Sequence, residues 1–206
     1  LEWSHPDLLP NVLKALQKDW NGKDNDPNPY YSDDNHGTSV AGVAAARGNN
    51  KIGVCGVAPE ANLVGMRLIA APQTDADIAE AMTWYPSQIP IKSDSWGYGP
   101  YTLIAEDALT QAALEYAVNY GRDGKGSVIT FAAGNFDTDG DRLDYKGINN
   151  SMYVIAVGAV DSSAHKSYYS NVGPGLAISA PSNGGTLGIM TTDRKGWYGS
   201  VSYTHL

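Results

Sequence analysis

A chain of 206 residues with 42% hydrophobic content is long enough for one domain with a sizeable core and too apolar for a disordered segment. Its net charge of −8 argues against the clustered Lys and Arg of a nucleic-acid footprint, so no nucleic-acid partner is expected. No apolar run approaches a membrane span, no basic-then-apolar leader opens the sequence, and the lone Cys55 cannot form an internal disulfide.

In chain order, residues 11–18 predict a short turn or helix, followed by a polar, Pro-containing loop over 22–34. The small residues of 36–46 read as a closely packed helix. Strands are expected over 62–69 and 89–96, separated by a helix over 74–85. The most regular helical pattern covers 103–120, with Leu109, Ala113, Tyr116 and Ala117 on one face and Gly121 as its stop. Residues 126–134 and 151–160 are continuous apolar runs, as strands buried on both faces should be. This alternation implies an α/β fold, a three-layer, doubly wound and mainly parallel sheet with helices on both faces. With no repeat and no low-complexity linker, a single domain is expected.

In such sheets chemistry gathers at the carboxyl ends of strands, which directs attention to three junctions. His36 opens a helix after a loop. Ser95, Trp96 and Gly97 end one strand. Asn135 ends another, in FAAGN, where Ala132, Ala133 and Gly134 leave room for close approach to the backbone. Singly, a helix-leading His is usually a cap or loop residue and a Gly-Asn pair is usually a turn. Their joint appearance in this order is what carries weight.

His36-Gly37-Thr38-Ser39-Val40-Ala41-Gly42, the segment IGVCGVAPEANLVGMRLI (52–69), FAAGN (131–135) and the block 153–182 together resemble the subtilisin-like serine proteases. The resemblance runs from about Leu1 to about Asp193. SDSWG (93–97) and 119–135 lean toward the kexin and furin branch, whereas AVGAVDSS and YSNVGPG lean toward the bacterial subtilisins. It implies a serine endopeptidase with a polypeptide substrate, admits a propeptide in a full-length protein, and suggests an extracellular or cell-envelope setting.

Serine hydrolysis of an amide needs a base for the hydroxyl proton and donors for the oxyanion. The resemblance makes His36 that base and the Asn135 amide that donor. It gives Ser95, Trp96, Gly97, Ala133 and Gly134 to substrate binding. The family's catalytic aspartate, in a D-x-G pattern, would lie a few residues before Leu1. Its serine motif, G-T-S-x-A-x-P, does not occur, and 190–206 resembles only the approach to it. Asp7, Ser200 and Ser202 are not expected to substitute. The chain is thus expected to be an inactive, poorly soluble piece of a catalytic domain truncated at both ends.

RGNNKIGV (47–54) resembles the family's strong calcium loop. Carried over, Asp7 supplies a carboxylate, Asn50 a side-chain oxygen, and Ile52 and Val54 carbonyls to a structural Ca2+; a plain Asn-rich turn is the alternative. Asp33 matches an acidic position facing a basic P2 residue, or is a solvated loop acid. Tyr98-Gly99-Pro100 and Asn171 stand where dibasic-specific relatives carry acids. Asp141 keeps an acidic position, but Lys146 lies close to where another acid is expected, so a wider or less charged S1 pocket is as well supported as a basic-specific one. Cys55 should be a buried free thiol. No G-x-G-x-x-G or Walker motif supports nucleotide binding, and a non-catalytic, subtilase-like binding module stays open beside the protease.

Overall fold

The computed structural model describes residues 1–196. Ser200, Ser202, Trp197 and Tyr198, about which the sequence raised expectations, lie outside the described residues. Tertiary contacts divide the chain into two compact units: Leu1–Gln73 with the segment from Met190, and Thr74–Ile189.

In the first unit the segment expected to form a turn or helix makes two 3-10 turns, Leu9–Asn11 and Lys14–Leu16. Strand β1 (Lys18–Asp19) then pairs in parallel with β2 (Met66–Arg67). β2 is shorter than the strand expected over 62–69. Leu63 instead bridges to the segment before β1, accepting from Leu13 N at 2.8 Å and donating to Asn11 O at 2.7 Å. Gly65 interrupts the run, where Pro27 Cγ would stand 2.7 Å from a Cβ.

Helix α1 (His36–Ala45) has the small-residue face that its sequence promised, and the structure supplies the reason. A Cβ on Gly42 would sit 2.3 Å from Thr192 Oγ1 and 2.5 Å from Thr191 Oγ1. The 191–192 segment also bonds to the helix: Thr192 Oγ1 donates to Thr38 O at 2.7 Å, and Ser39 Oγ donates to Thr192 O at 2.8 Å. Ala41 and Ala46 meet Leu8 in an apolar cluster bordered by Leu1, Val12, Val54 and Leu63.

The second unit holds a four-stranded parallel sheet in the order β3 (Ile91–Asp94), β4 (Val128–Ala132), β5 (Ile155–Val160), β6 (Leu176–Pro181). The full burial expected of 126–134 and 151–160 does not hold. β4 buries Ile129 and Phe131 and leaves the residues between half-buried, and Ile155 of β5 is 40% exposed. That alternation is the mark of a sheet with one face more fully covered.

Helix α2 (Asp75–Thr83) opens on a capping box in which Thr74 and Asp77 satisfy each other's backbone N–H groups. α3 (Ala108–Gly124) starts later than expected, because Ile104 is held in a bridge to Lys146 and Asp107 caps the helix with bonds from Leu109 N and Thr110 N. Its helical dihedrals end at Gly121, as expected; there ψ is 156° and a Cβ would meet Ser127 Oγ at 2.2 Å. The expected inner face is corrected. Thr110, Ala113, Leu114, Ala117 and Gly121 are buried, whereas Leu109 and Tyr116 are about half exposed. α3 packs on α2, and the buried row is the one of mostly small residues that begins at Thr110. No described helix is long and apolar enough to cross a membrane.

Candidate functional site

The parallel register of β3 and β4 pairs Asp94 with Phe131, so Ser95–Gly97 and Ala132–Gly134 leave the sheet side by side at its carboxyl edge. Trp96 packs edge-on against Phe131 with ring centroids 5.1 Å apart, and its Nε1 donates to Asp94 Oδ1 at 3.0 Å. Ala133 is buried and donates its N–H to Val157 O at 2.8 Å. Asn149 Nδ2 donates to Ala132 O at 2.7 Å and lies 3.8 Å from where a Gly97 Cβ would be. Five of the six residues expected to bind substrate, all but Asp33, are therefore gathered on one edge.

Half-buried Asn135 follows directly. Gly134 adopts φ +108°, in the left-handed half of backbone space, and a Cβ there would strike Asn171 Nδ2 at 2.5 Å, so glycine is required. Asn171 accepts from Phe136 N through Oδ1 at 2.8 Å and donates its own N–H to Gly134 O at 3.0 Å. Its Nδ2 donates to Asp141 Oδ2 at 3.0 Å, while Lys146 Nζ donates to Asp141 Oδ1 at 3.1 Å and to Thr102 O at 2.6 Å. Asp141, Lys146 and Asn171 are each at most 3% exposed. Asp141 is thus an internal partner of Lys146.

In the first unit, half-buried His36 begins α1. Leu1 N lies 3.3 Å from the position of a Gly37 Cβ, and Glu2 N donates to Thr38 Oγ1 at 2.9 Å, which lays the start of the chain along the first turn of α1. Asp33 is exposed, but its neighbour Asp34 receives a 2.7 Å bond from Arg67 Nε, and Arg67 also pairs with Asp19 at 3.0 Å. Sequence reading missed this triad, in which Arg67 and Asp19 are buried and Asp34 is half-buried. An arginine inside the apolar run of 62–69 was the available signal, since a buried charge demands a partner.

Asp7 is wholly buried and meets the 50–54 loop. Asn50 Nδ2 donates to Asp7 Oδ1 at 2.6 Å, Val54 N to Asp7 Oδ2 at 2.7 Å, and Ile52 N to Asn50 Oδ1 at 3.2 Å. Gly53, at φ +58°, gives the loop its closeness: a Cβ would lie 2.0 Å from Asp7 Oδ2. A carboxylate, an amide oxygen and the carbonyls of Ile52 and Val54 are oxygen ligands of the type a hard cation takes, and here both Asp7 oxygens and Asn50 Oδ1 are engaged by protein N–H groups. No group of three His, Cys, Asp or Glu forms a metal cluster among the described residues.

Cys55 is exposed, which corrects the expected buried thiol. Val54 packs inward on the Leu8 cluster and Gly56 is buried, bonding to Ala46 O at 3.0 Å; the residue between them faces outward.

The chain matches the Subtilase family over residues 1–204. It is 37% identical over 198 residues to the dibasic-processing endoprotease of Schizosaccharomyces pombe, covering 95% of this chain and 28% of that protein. To kexin of Saccharomyces cerevisiae it is 36% identical, covering 95% of this chain and 24% of kexin. It therefore spans about a quarter of the length of these relatives. Among solved structures, a serine protease of Aeromonas sobria superposes with a TM-score of 0.78 at 24% identity, covering 89% of this chain and 34% of that one. A protease of Pseudoalteromonas arctica gives 0.68 at 26% identity, with 89% and 60% covered. The solved structures show a subtilisin-like α/β fold, and the match across nearly every residue shows that this chain belongs to the subtilase family.

Proposed function

We propose that the chain supplies the general base and the oxyanion donor of a serine endopeptidase that cleaves peptide bonds through an acyl-enzyme. The observation that carries this is the placement of Asn135 just beyond the carboxyl end of β4, after a Gly134 whose positive φ and close contact with Asn171 admit no side chain, beside the gathered edge of Ser95–Gly97 and Ala133. A side-chain amide there can donate to an oxyanion as charge develops. His36 takes the hydroxyl proton of a serine and returns it to the leaving amine. With Leu1 along the first turn of α1, residues preceding it in a longer chain would approach His36, where a carboxylate could fix the tautomer of its ring.

A Ca2+ held by Asp7, Asn50 and the Ile52 and Val54 carbonyls would supply rigidity, with no part in bond cleavage. Engagement of Asp141 by Lys146 favours an S1 pocket without strong acidic character over a dibasic one. An extracellular or cell-envelope setting and a propeptide partner belong to the same reading.

The test is hydrolysis of a broad peptide library by the full-length protein, beside its His36→Ala and Asn135→Ala forms and the isolated 206-residue chain. Cleavage by the full-length protein alone, lost in both variants, is expected. Cleavage by the isolated chain that disappears with His36→Ala would overturn its expected inactivity. A full-length protein that binds peptides and leaves them intact would make it a binding module.

A further inference from the structure

We infer that Asn171 is a positioning residue for Asn135, holding the peptide on either side of it, and that the buried Asp141–Lys146 pair sets the orientation of Asn171; this rests on the oxyanion-donor reading of Asn135. The backbone of Asn171 grips the residue before Asn135 through Gly134 O, and its side chain grips the residue after it through Phe136 N. A residue whose two neighbours are both fixed has little backbone freedom left. Phe136 is further tied by Asp141, whose N–H donates to Phe136 O at 3.1 Å. The side-chain amide of Asn171 has only one useful orientation here. Its oxygen must face the Phe136 N–H and its nitrogen the Asp141 carboxylate. The flipped amide would set a nitrogen against a donor and an oxygen against a carboxylate. Lys146 holds the other oxygen of that carboxylate and anchors on Thr102 O, so the charge that selects the orientation is fixed in place. At 1% exposure, water does not substitute for any of these bonds.

Two measurements on the full-length protein test this. The first, amide hydrogen exchange, needs no activity: Asn171→Ala should speed exchange at Phe136 while the β4 amides 128–132 keep their protection. Unchanged exchange at Phe136 would overturn the clamp. The second is steady-state peptide hydrolysis. Asn171→Ala and Asn171→Asp should lower kcat about 10- to 100-fold, with KM little changed, as expected for a small misplacement of a catalytic group. The exchange of partners, Asn171→Asp with Asp141→Asn, conserves charge and restores a donor–acceptor pair, and it should recover much of kcat. Asn171→Ala added to Asn135→Ala should cost little more. An equal loss in both backgrounds, or full kcat in a folded Asn171→Ala protein, would overturn the positioning role. If Asn135→Ala itself keeps full kcat, or no peptide is cleaved, the oxyanion-donor reading falls and takes the positioning role with it, leaving the clamp to the exchange result alone.

Discussion

Trp96 donates its indole N–H to the carboxylate of half-buried Asp94 two residues earlier, at 3.0 Å, so the strand that presents Ser95–Gly97 carries its own acceptor. Asp94 Oδ2 is buried with no hydrogen-bond partner among the described residues. Burial pushes this carboxyl from the ordinary 3.8 up to about 6, against smaller opposing effects of the Trp96 bond and the Lys92 charge. The native state then binds a proton that the unfolded chain has lost between those two values. Stability from this group is full below about pH 3.8 and declines as pH rises to about 6, by about 3 kcal/mol. Asp94→Asn keeps an oxygen for Trp96 and cannot ionise. Denaturant titrations from pH 4 to 7 should therefore show the wild type losing stability relative to Asp94→Asn.

Lys146 and Asp141 form an ion pair with side chains 4% and 1% exposed. Lys146→Met would leave a buried carboxylate with only the Asn171 bond, at a cost of about 3–5 kcal/mol. Adding Asp141→Asn removes the stranded charge and should recover much of that loss. Equal losses in the single and double variants, measured by urea unfolding, would refute the coupling.

Asp7→Ala removes the acceptor for both Asn50 Nδ2 and Val54 N. Each abandoned donor should cost about 1–3 kcal/mol. Millimolar calcium should raise the melting temperature of the wild type and leave that of Asp7→Ala unmoved, because an ion that binds only the native state stabilises it by mass action. Absence of a calcium shift in the wild type would reduce the loop to a hydrogen-bonded turn.

Gly42→Ala inserts a methyl group where Thr191 and Thr192 already stand. Overpacking of about 1–3 kcal/mol is expected. Its signature should be faster proteolysis after Met190, since the threonines must move away for the helix to remain.

Where the sequence was legible, local chemistry had recorded the tertiary environment. The glycine and alanine content of 36–46 announced a helix under close contact, and Gly121 marked a real end. What was hidden was set by partners far away in sequence. Nothing in LAISAP distinguishes β6 from a loop until β5 lies beside it. Leu109 and Tyr116 stay about half exposed while Thr110 is buried, a choice of face that packing in the fold makes and the helical pattern alone does not. Asp33 drew attention as the acid near His36, while Asp34 is the one engaged, and only the fold brings Arg67 to it. Asn171 looked like a missing acid; its amide has a use because Phe136 N and Asp141 converge on it.

The grip of Thr191 and Thr192 on α1 spans more than 150 residues of chain. On a ribosome, α1 emerges long before the segment that covers Gly42, and the whole second unit must be made in between. The nascent first unit waits with a helix face open, which is a state that a holding chaperone would recognise. Its closure is a non-local, entropically costly step. A thermal shock during synthesis would find this protein most vulnerable at the helix that begins with His36.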